Sequence, residues 1–167
     1  AADLAQYHGS WEVPYQSEWV GPDGHRYEIF TNQGWTQGIV VPMALNILED
    51  MDLASLGHNT GDYVHTVAQA LELALADREA YVGDPAFVDV PAETLLSDTY
   101  ASARRNAMTP GSFGPLPDPG EIPGYDAWVP PEVVTAKAQA PAVDFAAGKD
   151  TTQLVIADPE GNMIAIT

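Results

Sequence analysis

The sequence contains no cysteine, few lysines and no long uncharged apolar run, and each of these absences excludes a class of function. Without cysteine the chain has no disulfide framework, no thiolate metal site and no cysteine nucleophile. A run of about 18 apolar residues is needed to span a bilayer, so the sequence predicts no membrane span. The first residues, AADLAQYHGS, also lack the basic and apolar regions of a signal peptide.

Positive charge is scarce throughout the chain. Lysine and arginine together number 6 against 24 acidic residues, which gives a formal net charge of -18 at neutral pH. Such a surface repels nucleic-acid phosphates and anionic membranes, so we exclude nucleic acid as a partner. The acidic residues are spread along the whole length, which indicates a solvated surface rather than an acidic tail. A salt-rich habitat is one explanation of this composition.

The N-terminal half of the chain shows one strand pattern and one buried helix. A length of 167 residues with 46% hydrophobic content supports one domain, or part of one. After the turn signal Gly21-Pro-Asp-Gly24, residues 25–31 alternate and are rich in strand formers, which predicts a strand. From Ile39 to Asp50 the apolar residues are too dense for an exposed helix, so we predict a buried one with Pro42 in its first turn.

Two further helices are predicted after residue 59. The longer one covers about 60–82, where apolar residues recur with a period near 3.6 and either Asn59 or Thr60 provides the N-cap. Gly83-Asp-Pro85 ends it, and a shorter helix follows from Ala92 to Asn106. The residues that carry the period in the longer helix are Val64, Val67, Ala68, Leu71, Ala74, Leu75 and Arg78.

The C-terminal third changes from an irregular connector to a β-hairpin. From Met108 to Pro141 the chain is rich in proline, glycine and alanine, and it has no sustained period, which predicts a long and poorly structured connector. Residues 151–158 and 163–167 are two strand-like runs around the turn at 159–162, which predicts a hairpin.

No familiar cofactor, metal or serine-hydrolase motif occurs in the sequence. The four histidines lack the i, i+4 spacing with a neighbouring glutamate that a helical zinc site requires, so we predict no metal. There is no GxSxG elbow, no phosphate-binding glycine loop and no dinucleotide fingerprint. His65 projects from the long helix, where a capping or surface role is favoured over a catalytic one.

Several stretches resemble the gamma-glutamyltranspeptidase family. Four stretches between Leu45 and Pro85 resemble the C-terminal part of that family's large subunit, and one of them is Ala76-Asp-Arg78. The run from Asp150 to Asp158, followed by Gly161-Asn162, resembles the first strand and turn of its small subunit. The other three large-subunit stretches are Leu45-Asn-Ile-Leu-Glu49, Asp52-Leu-Ala-Ser-Leu-Gly-His-Asn59 and Gly83-Asp-Pro85.

The resemblance implies an α+β chain that supplies helices and the first hairpin of a four-layer αββα N-terminal-nucleophile sandwich. It divides the chain into a mainly helical large-subunit region at 1–107, a connector at 108–150 and the start of the small subunit at 151–167. Thr151 matches the threonine nucleophile, which becomes available when the chain is cut between Asp150 and Thr151. Thr152 is only its neighbour.

The resemblance further implies amide hydrolysis or acyl transfer, without a cofactor, in a periplasmic or extracellular compartment. The substrate would carry a gamma-glutamyl group or a related dicarboxylic acyl group, and the partners would be the large and small subunits of one precursor. The family usually has Pro-Pro-Ser-Ser-Gly-Gly where this chain has Gln33-Gly-Trp-Thr-Gln-Gly38, and histidine where it has Gln153. The alternative is a non-catalytic homologue that keeps the scaffold as a binding or structural module.

Overall fold

The computed structural model describes residue 6 and the ranges 8–21, 24–112, 114–128 and 154–166. The chain separates into two compact units, Ala1–Lys137 and Ala138–Thr167. Helices and strands are mixed, as the sequence predicts. Within the described residues of the first unit, the elements are β1 (Tyr15–Val20), β2 (Arg26–Thr31), α1 (Val40–Leu48), α2 (Gly61–Tyr81), α3 (Ala92–Leu95) and α4 (Asp98–Arg105).

Strands β1 and β2 form an antiparallel hairpin in which Tyr15 lies opposite Thr31 and Val20 opposite Arg26. Strand β2 confirms the sequence prediction, whereas β1 was not predicted. The half-buried positions of β1 are Tyr15, Ser17 and Trp19, so a polar residue interrupts the inward-facing apolar set and hides the alternation.

Helix α1 is the buried helix that the sequence predicts, with Pro42 in its first turn. It contributes residues to two apolar clusters, a first one that includes Met43 and Leu95 and a second one that includes Ile47 and Leu73. Arg105 of α4 fastens the C-terminal end of α1, because its guanidinium donates to the carbonyl oxygens of Asn46 and Ile47 at 2.9 and 2.6 Å. These carbonyls have no partner within the helix, so an arginine from another helix satisfies them.

Helix α2 begins after Thr60, whose hydroxyl accepts from the Tyr63 amide at 3.2 Å and so provides the N-cap. The helix confirms the predicted range, but its buried face agrees with the predicted apolar stripe only in part, at Ala74 and at the partly buried Val67. The stripe residues Val64, Leu71 and Leu75 are 51%, 41% and 41% exposed. The buried residues are Ala70, Leu73, Ala74, Asp77, Ala80 and Tyr81.

The predicted single helix at 92–106 is wrong, because the structure contains two helices separated at Leu96 and Ser97. The Ser97 hydroxyl accepts from the Tyr100 amide at 3.2 Å and caps α4. Serine followed by aspartate favours a new helix start over continuation, since the serine side chain satisfies an amide that has no partner at a helix N-terminus.

The connector after Met108 contains no helix or strand over its described residues, as predicted, but it is not loose there. Ile122 is buried in the first apolar cluster, and the Trp128 amide donates to the Ala80 carbonyl oxygen at 3.0 Å. The expectation of a poorly structured segment is therefore wrong for 118–128. Its proline and glycine residues prevent regular structure without preventing tertiary contacts.

The second unit contains the predicted C-terminal hairpin, formed by β3 (Leu154–Ala157) and β4 (Met163–Ile166). The strands pair antiparallel, with Leu154 opposite Ile166 and Ala157 opposite Met163.

Candidate functional site

The predicted nucleophile Thr151 and the predicted cleavage partner Asp150 lie outside the described residues. The description resumes at Leu154, three positions after Thr151, where β3 begins. The described residues that follow the predicted cleavage point are those of the β3–β4 hairpin, and Thr151 stays a prediction.

The turn between β3 and β4 is held by one aspartate. The Asn162 amide donates to Asp158 Oδ1 at 2.8 Å, and the Asn162 side-chain amide donates to Asp158 Oδ2 at 2.8 Å. Gly161 has a φ of 86°, a conformation that glycine adopts without strain. The hydrogen bonds from the Asn162 side chain and backbone lower the pKa of the Asp158 carboxyl below its ordinary value, because they stabilise the ionised form.

The register of the hairpin assigns its side chains to two faces. Successive side chains of a strand point to opposite sides, so Val155 shares a face with Ala165, its cross-strand partner. The other face carries only large aliphatic residues. Leu154, Ile156, Ile164 and Ile166 lie on that face, and each is more than half exposed.

In the first unit the structure contains a buried ionic cluster that the sequence analysis missed. Asp77 of α2 is 0% exposed and Arg104 of α4 is 6% exposed, and Arg104 Nε lies 2.9 Å from Asp77 Oδ2. The other carboxylate oxygen, Asp77 Oδ1, accepts from the Gly120 amide at 2.7 Å. A charged residue on the buried face of a helix needs a partner, but the sequence does not show which face of α2 is buried.

The cluster holds the connector against α2 through the backbone of Gly120 and of Asp118. The Tyr81 hydroxyl donates to the Gly120 carbonyl oxygen at 2.6 Å, while the Gly120 amide donates to Asp77. Arg104 donates to the Asp118 carbonyl oxygen at 3.0 Å. A Cβ at Gly120 would lie 2.4 Å from the Tyr100 hydroxyl oxygen. The polar atoms of the cluster bond one another and the backbone of the connector, so the geometry suits holding this loop in place rather than binding a ligand.

Burial dominates the titration of this cluster. Desolvation raises the pKa of the Asp77 carboxyl, although hydrogen bonding from the Gly120 amide and the charge of Arg104 oppose it. Desolvation also raises the pKa of the Tyr100 hydroxyl, and the charge of Asp77 adds to that rise. Tyr100 therefore keeps its proton, which suits a structural role better than acid–base chemistry near neutral pH.

His65 lies beside a groove between α2 and the start of the connector. Its Nε2 atom is 3.3 Å from the Thr109 carbonyl oxygen, and the Gln69 side chain bonds the Thr109 backbone and hydroxyl. These contacts line a cavity of about 240 Å³ between α2 and the start of the connector. The structure thus places His65 beside a carbonyl oxygen at the start of the connector.

Over the ranges given above, no three histidine, aspartate or glutamate side chains come close enough to hold a metal ion. No helix within the described part of the chain is long and apolar enough to cross a bilayer.

Comparison with known proteins relates the whole chain to one family. The family model for gamma-glutamyltranspeptidase matches residues 1–167. The chain is 32% identical over 167 residues to the acylase ACY 1 proenzyme of Pseudomonas sp. (strain SE83), covering 99% of this chain and 25% of that relative. It is 27% identical over 168 residues to the glutathione hydrolase proenzyme of Escherichia coli (strain K12), covering 99% of this chain and 24% of the relative.

A solved structure supports the same relationship. The gamma-glutamyltranspeptidase of Helicobacter pylori superposes with a TM-score of 0.61 at 31% identity, over 69% of this chain and 32% of that one. The chain thus spans about a quarter of the length of the proenzymes it matches.

Proposed function

Because this chain belongs to the gamma-glutamyltranspeptidase family, we propose that it is part of an N-terminal-nucleophile enzyme that hydrolyses amides or transfers their acyl groups. In this proposal Thr151 is the nucleophile, and it becomes an N-terminal residue when the precursor is cut at Asp150-Thr151. The observation that carries the proposal is the family match over all of 1–167, which includes the predicted cleavage point.

The chemistry of the cut needs only the threonine and water. The Thr151 hydroxyl oxygen attacks the Asp150 carbonyl carbon, the peptide C–N bond breaks, and the Thr151 nitrogen gains a proton as an ester forms. Water then hydrolyses the ester, which gives the Asp150 carboxylate and restores the hydroxyl. The free α-amine has a pKa of about 7.7–8.0, so it can act as the base for later turnovers, whereas an amide nitrogen cannot.

In substrate turnover, bonds form and break in the same order as in the cut. The Thr151 hydroxyl gives its proton to the α-amine and attacks the substrate amide, which forms an acyl-threonine ester and releases an amine. Water takes the acyl group in hydrolysis, and a second amine takes it in transfer. We propose a gamma-glutamyl or related dicarboxylic acyl group, because the relatives described above are named glutathione hydrolase and acylase proenzymes.

The described hairpin supports the proposed register of the nucleophile. If the alternation of β3 continues towards the cleavage point, Thr151 shares a face with Val155 and Ala157, while Thr152 shares the face of Leu154. The two threonines would then point to opposite sides, so only one of them could serve as the nucleophile of a given site.

The same hairpin supports the proposed four-layer αββα sandwich. Both of its faces are largely apolar, with Val155 60% exposed on one and Leu154 53% exposed on the other. An apolar strand pair of this kind is expected inside a protein with a covering layer on each side. We propose that the remainder of a longer precursor supplies both layers, and that large and small subunits of that precursor form the enzyme.

The proposal is tested by substitutions in the precursor. Thr151→Ala should leave a single uncut chain without amidase activity, because one hydroxyl performs both the cut and the later attack. Thr151→Ser should retain some of both, since a serine hydroxyl forms the same ester. Thr152→Ala is the matched control, and we expect it to be cut. Processing is followed by gel electrophoresis and mass spectrometry of the new N-terminus, and activity by release of the amine from gamma-glutamyl anilide.

The controls also distinguish the competing interpretations. If Thr151→Ala is cut while Thr152→Ala is not, the nucleophile is Thr152 and the proposed assignment to Thr151 is wrong. A wild-type precursor that stays a single chain would favour the non-catalytic scaffold.

A further inference from the structure

Every arginine in the described residues already has a carboxylate partner. Arg26 pairs with Glu18, and Arg78 pairs with Glu79. Arg104 lies 2.9 Å from Asp77, and Arg105 Nη1 lies 2.7 Å from Asp50 Oδ2. The whole sequence has only 6 lysine and arginine residues for 24 acidic ones, so most of the negative charge has no cationic side chain available to neutralise it.

The unneutralised charge is distributed over the surface rather than concentrated. Exposed acidic side chains outside the four arginine pairs occur on β2, α2, α3 and α4, and no group of three in the described ranges could hold a metal ion. A discrete cation site is therefore not indicated. One such residue from each of these elements is Glu28, Glu72, Glu93 and Asp98.

We propose that the folded state of this chain depends on a concentrated atmosphere of monovalent cations, K⁺ or Na⁺, which screens the repulsion among its surface carboxylates. Folding brings these like charges together, so the compact state carries a repulsion that the extended chain largely avoids. The distance over which charges act falls from about 8 Å at 0.15 M salt to about 3 Å at 1 M. The partner is thus a dissolved ion at high concentration, independent of the proposed catalytic function.

Screening also weakens the ion pairs, but this effect is smaller than the relief of repulsion. The pair Arg26–Glu18 is exposed on both sides, and exposed pairs contribute little to stability. The pair Arg104–Asp77 is buried, and salt screens buried pairs much less than exposed ones. The attractions that salt can weaken are therefore few, whereas the repulsions that it relieves involve most of the acidic surface.

The salt dependence is measured by thermal unfolding of the full chain, followed by circular dichroism, in 0.1 M and 2 M KCl or NaCl. We expect the midpoint to rise by roughly 5 °C or more, mostly below 1 M, and equally for K⁺ and Na⁺. A chain that is unfolded at low salt and becomes helical on addition of salt supports the proposal equally. A midpoint that stays flat overturns it, as does an equal rise in sucrose of the same osmolality or a rise that needs only micromolar Ca²⁺.

Two triple variants separate screening of surface charge from a general effect of salt. Glu72→Gln/Glu93→Gln/Glu121→Gln removes carboxylates that form none of the ion pairs above, and should raise the low-salt midpoint and reduce its rise with salt. Glu18→Gln/Asp50→Asn/Glu79→Gln removes the same number of charges from arginine pairs, and should not raise the low-salt midpoint. If the two triple variants have the same low-salt midpoint and the same rise of the midpoint with salt, the proposal is wrong.

Discussion

At Gly120 the absence of a side chain is a packing requirement. The Gly120 amide donates to Asp77, and the Gly120 carbonyl oxygen accepts from the Tyr81 hydroxyl. A Cβ would lie 2.4 Å from the Tyr100 hydroxyl oxygen and 2.8 Å from Arg104 Cδ. Both neighbours are buried, so neither has free space into which it can move. The glycine therefore allows the connector to approach α2 closely enough for the Asp77 hydrogen bond.

Replacement of Gly120 by alanine should destabilise the chain by about 1–3 kcal/mol, the usual cost of adding a methyl group to a packed interior. Gly61→Ala is the matched control, because a Cβ there meets no atom within 4 Å and alanine favours the helix that begins at this residue. Urea unfolding of the two variants measures the difference in free energy. Equal midpoints would show that the loop moves aside without cost.

The residues of the ionic cluster could not be identified from the sequence. Asp77 interrupts the buried face of α2 and needs a partner, but the sequence does not show which face is buried. The identity of the partner depends on how α4 and the connector pack against α2, because Arg104 is 27 positions away and Gly120 is 43 positions away. No local pattern relates residues at such separations.

Among the elements, those with strong local signals were predicted and those that depend on tertiary contacts were not. Helices α1 and α2 follow from dense or periodic apolar residues and from Thr60 as a cap. Strand β1 was missed because Ser17 occupies an inward position, where its hydroxyl donates to Asn46 Oδ1 at 3.4 Å. A polar residue at an inward position breaks the alternation of apolar and polar residues by which a strand is predicted, and its partner on another element is not visible in the local sequence.

The buried face of α2 could not be chosen from periodicity alone. Apolar residues occur on both sides of this helix, with Leu73 buried on one side and Leu71 41% exposed on the other. Ala74 of the predicted stripe is buried, but so are Ala70 and Leu73 outside it, which pack in the same cluster as Ile47 of α1. The buried side of α2 is thus set by the position of α1, which the sequence of α2 alone does not contain.

The turn of the β3–β4 hairpin should respond to acid through Asp158. The Asn162 hydrogen bonds lower the pKa of its carboxyl, so the stabilisation is present above the ordinary pKa of about 3.9 and is lost as the pH falls through the lowered folded-state value. Asn162→Ala should raise the pKa of Asp158 towards the ordinary value of an aspartate, because the side-chain hydrogen bond is lost. Carboxyl chemical shifts measured by NMR titration report this change, and an unchanged pKa in the variant would contradict the assignment to Asn162.

On the scale of the whole molecule, the two units differ in how they bury apolar residues. The first unit encloses two apolar clusters around α1, whereas every described residue of the hairpin in the second unit is exposed. A two-stranded hairpin alone is marginal in water, because it has too little buried surface to offset the entropy of ordering its residues. The sequence analysis located both regions, but it did not indicate that one is packed and the other uncovered.

Hydrogen exchange measured along the full chain should report this difference. We expect slow exchange in α1, in the middle of α2 and at the Gly120 amide, which donates to a carboxylate that is 0% exposed. Amides of β3 and β4 should exchange faster, since solvent reaches both faces of the hairpin. In a longer precursor the same hairpin amides should become protected if further layers cover its faces. Fast exchange at Gly120 would show that the connector is not held by Asp77, and equally slow exchange in the hairpin would mean that its strands need no covering layers.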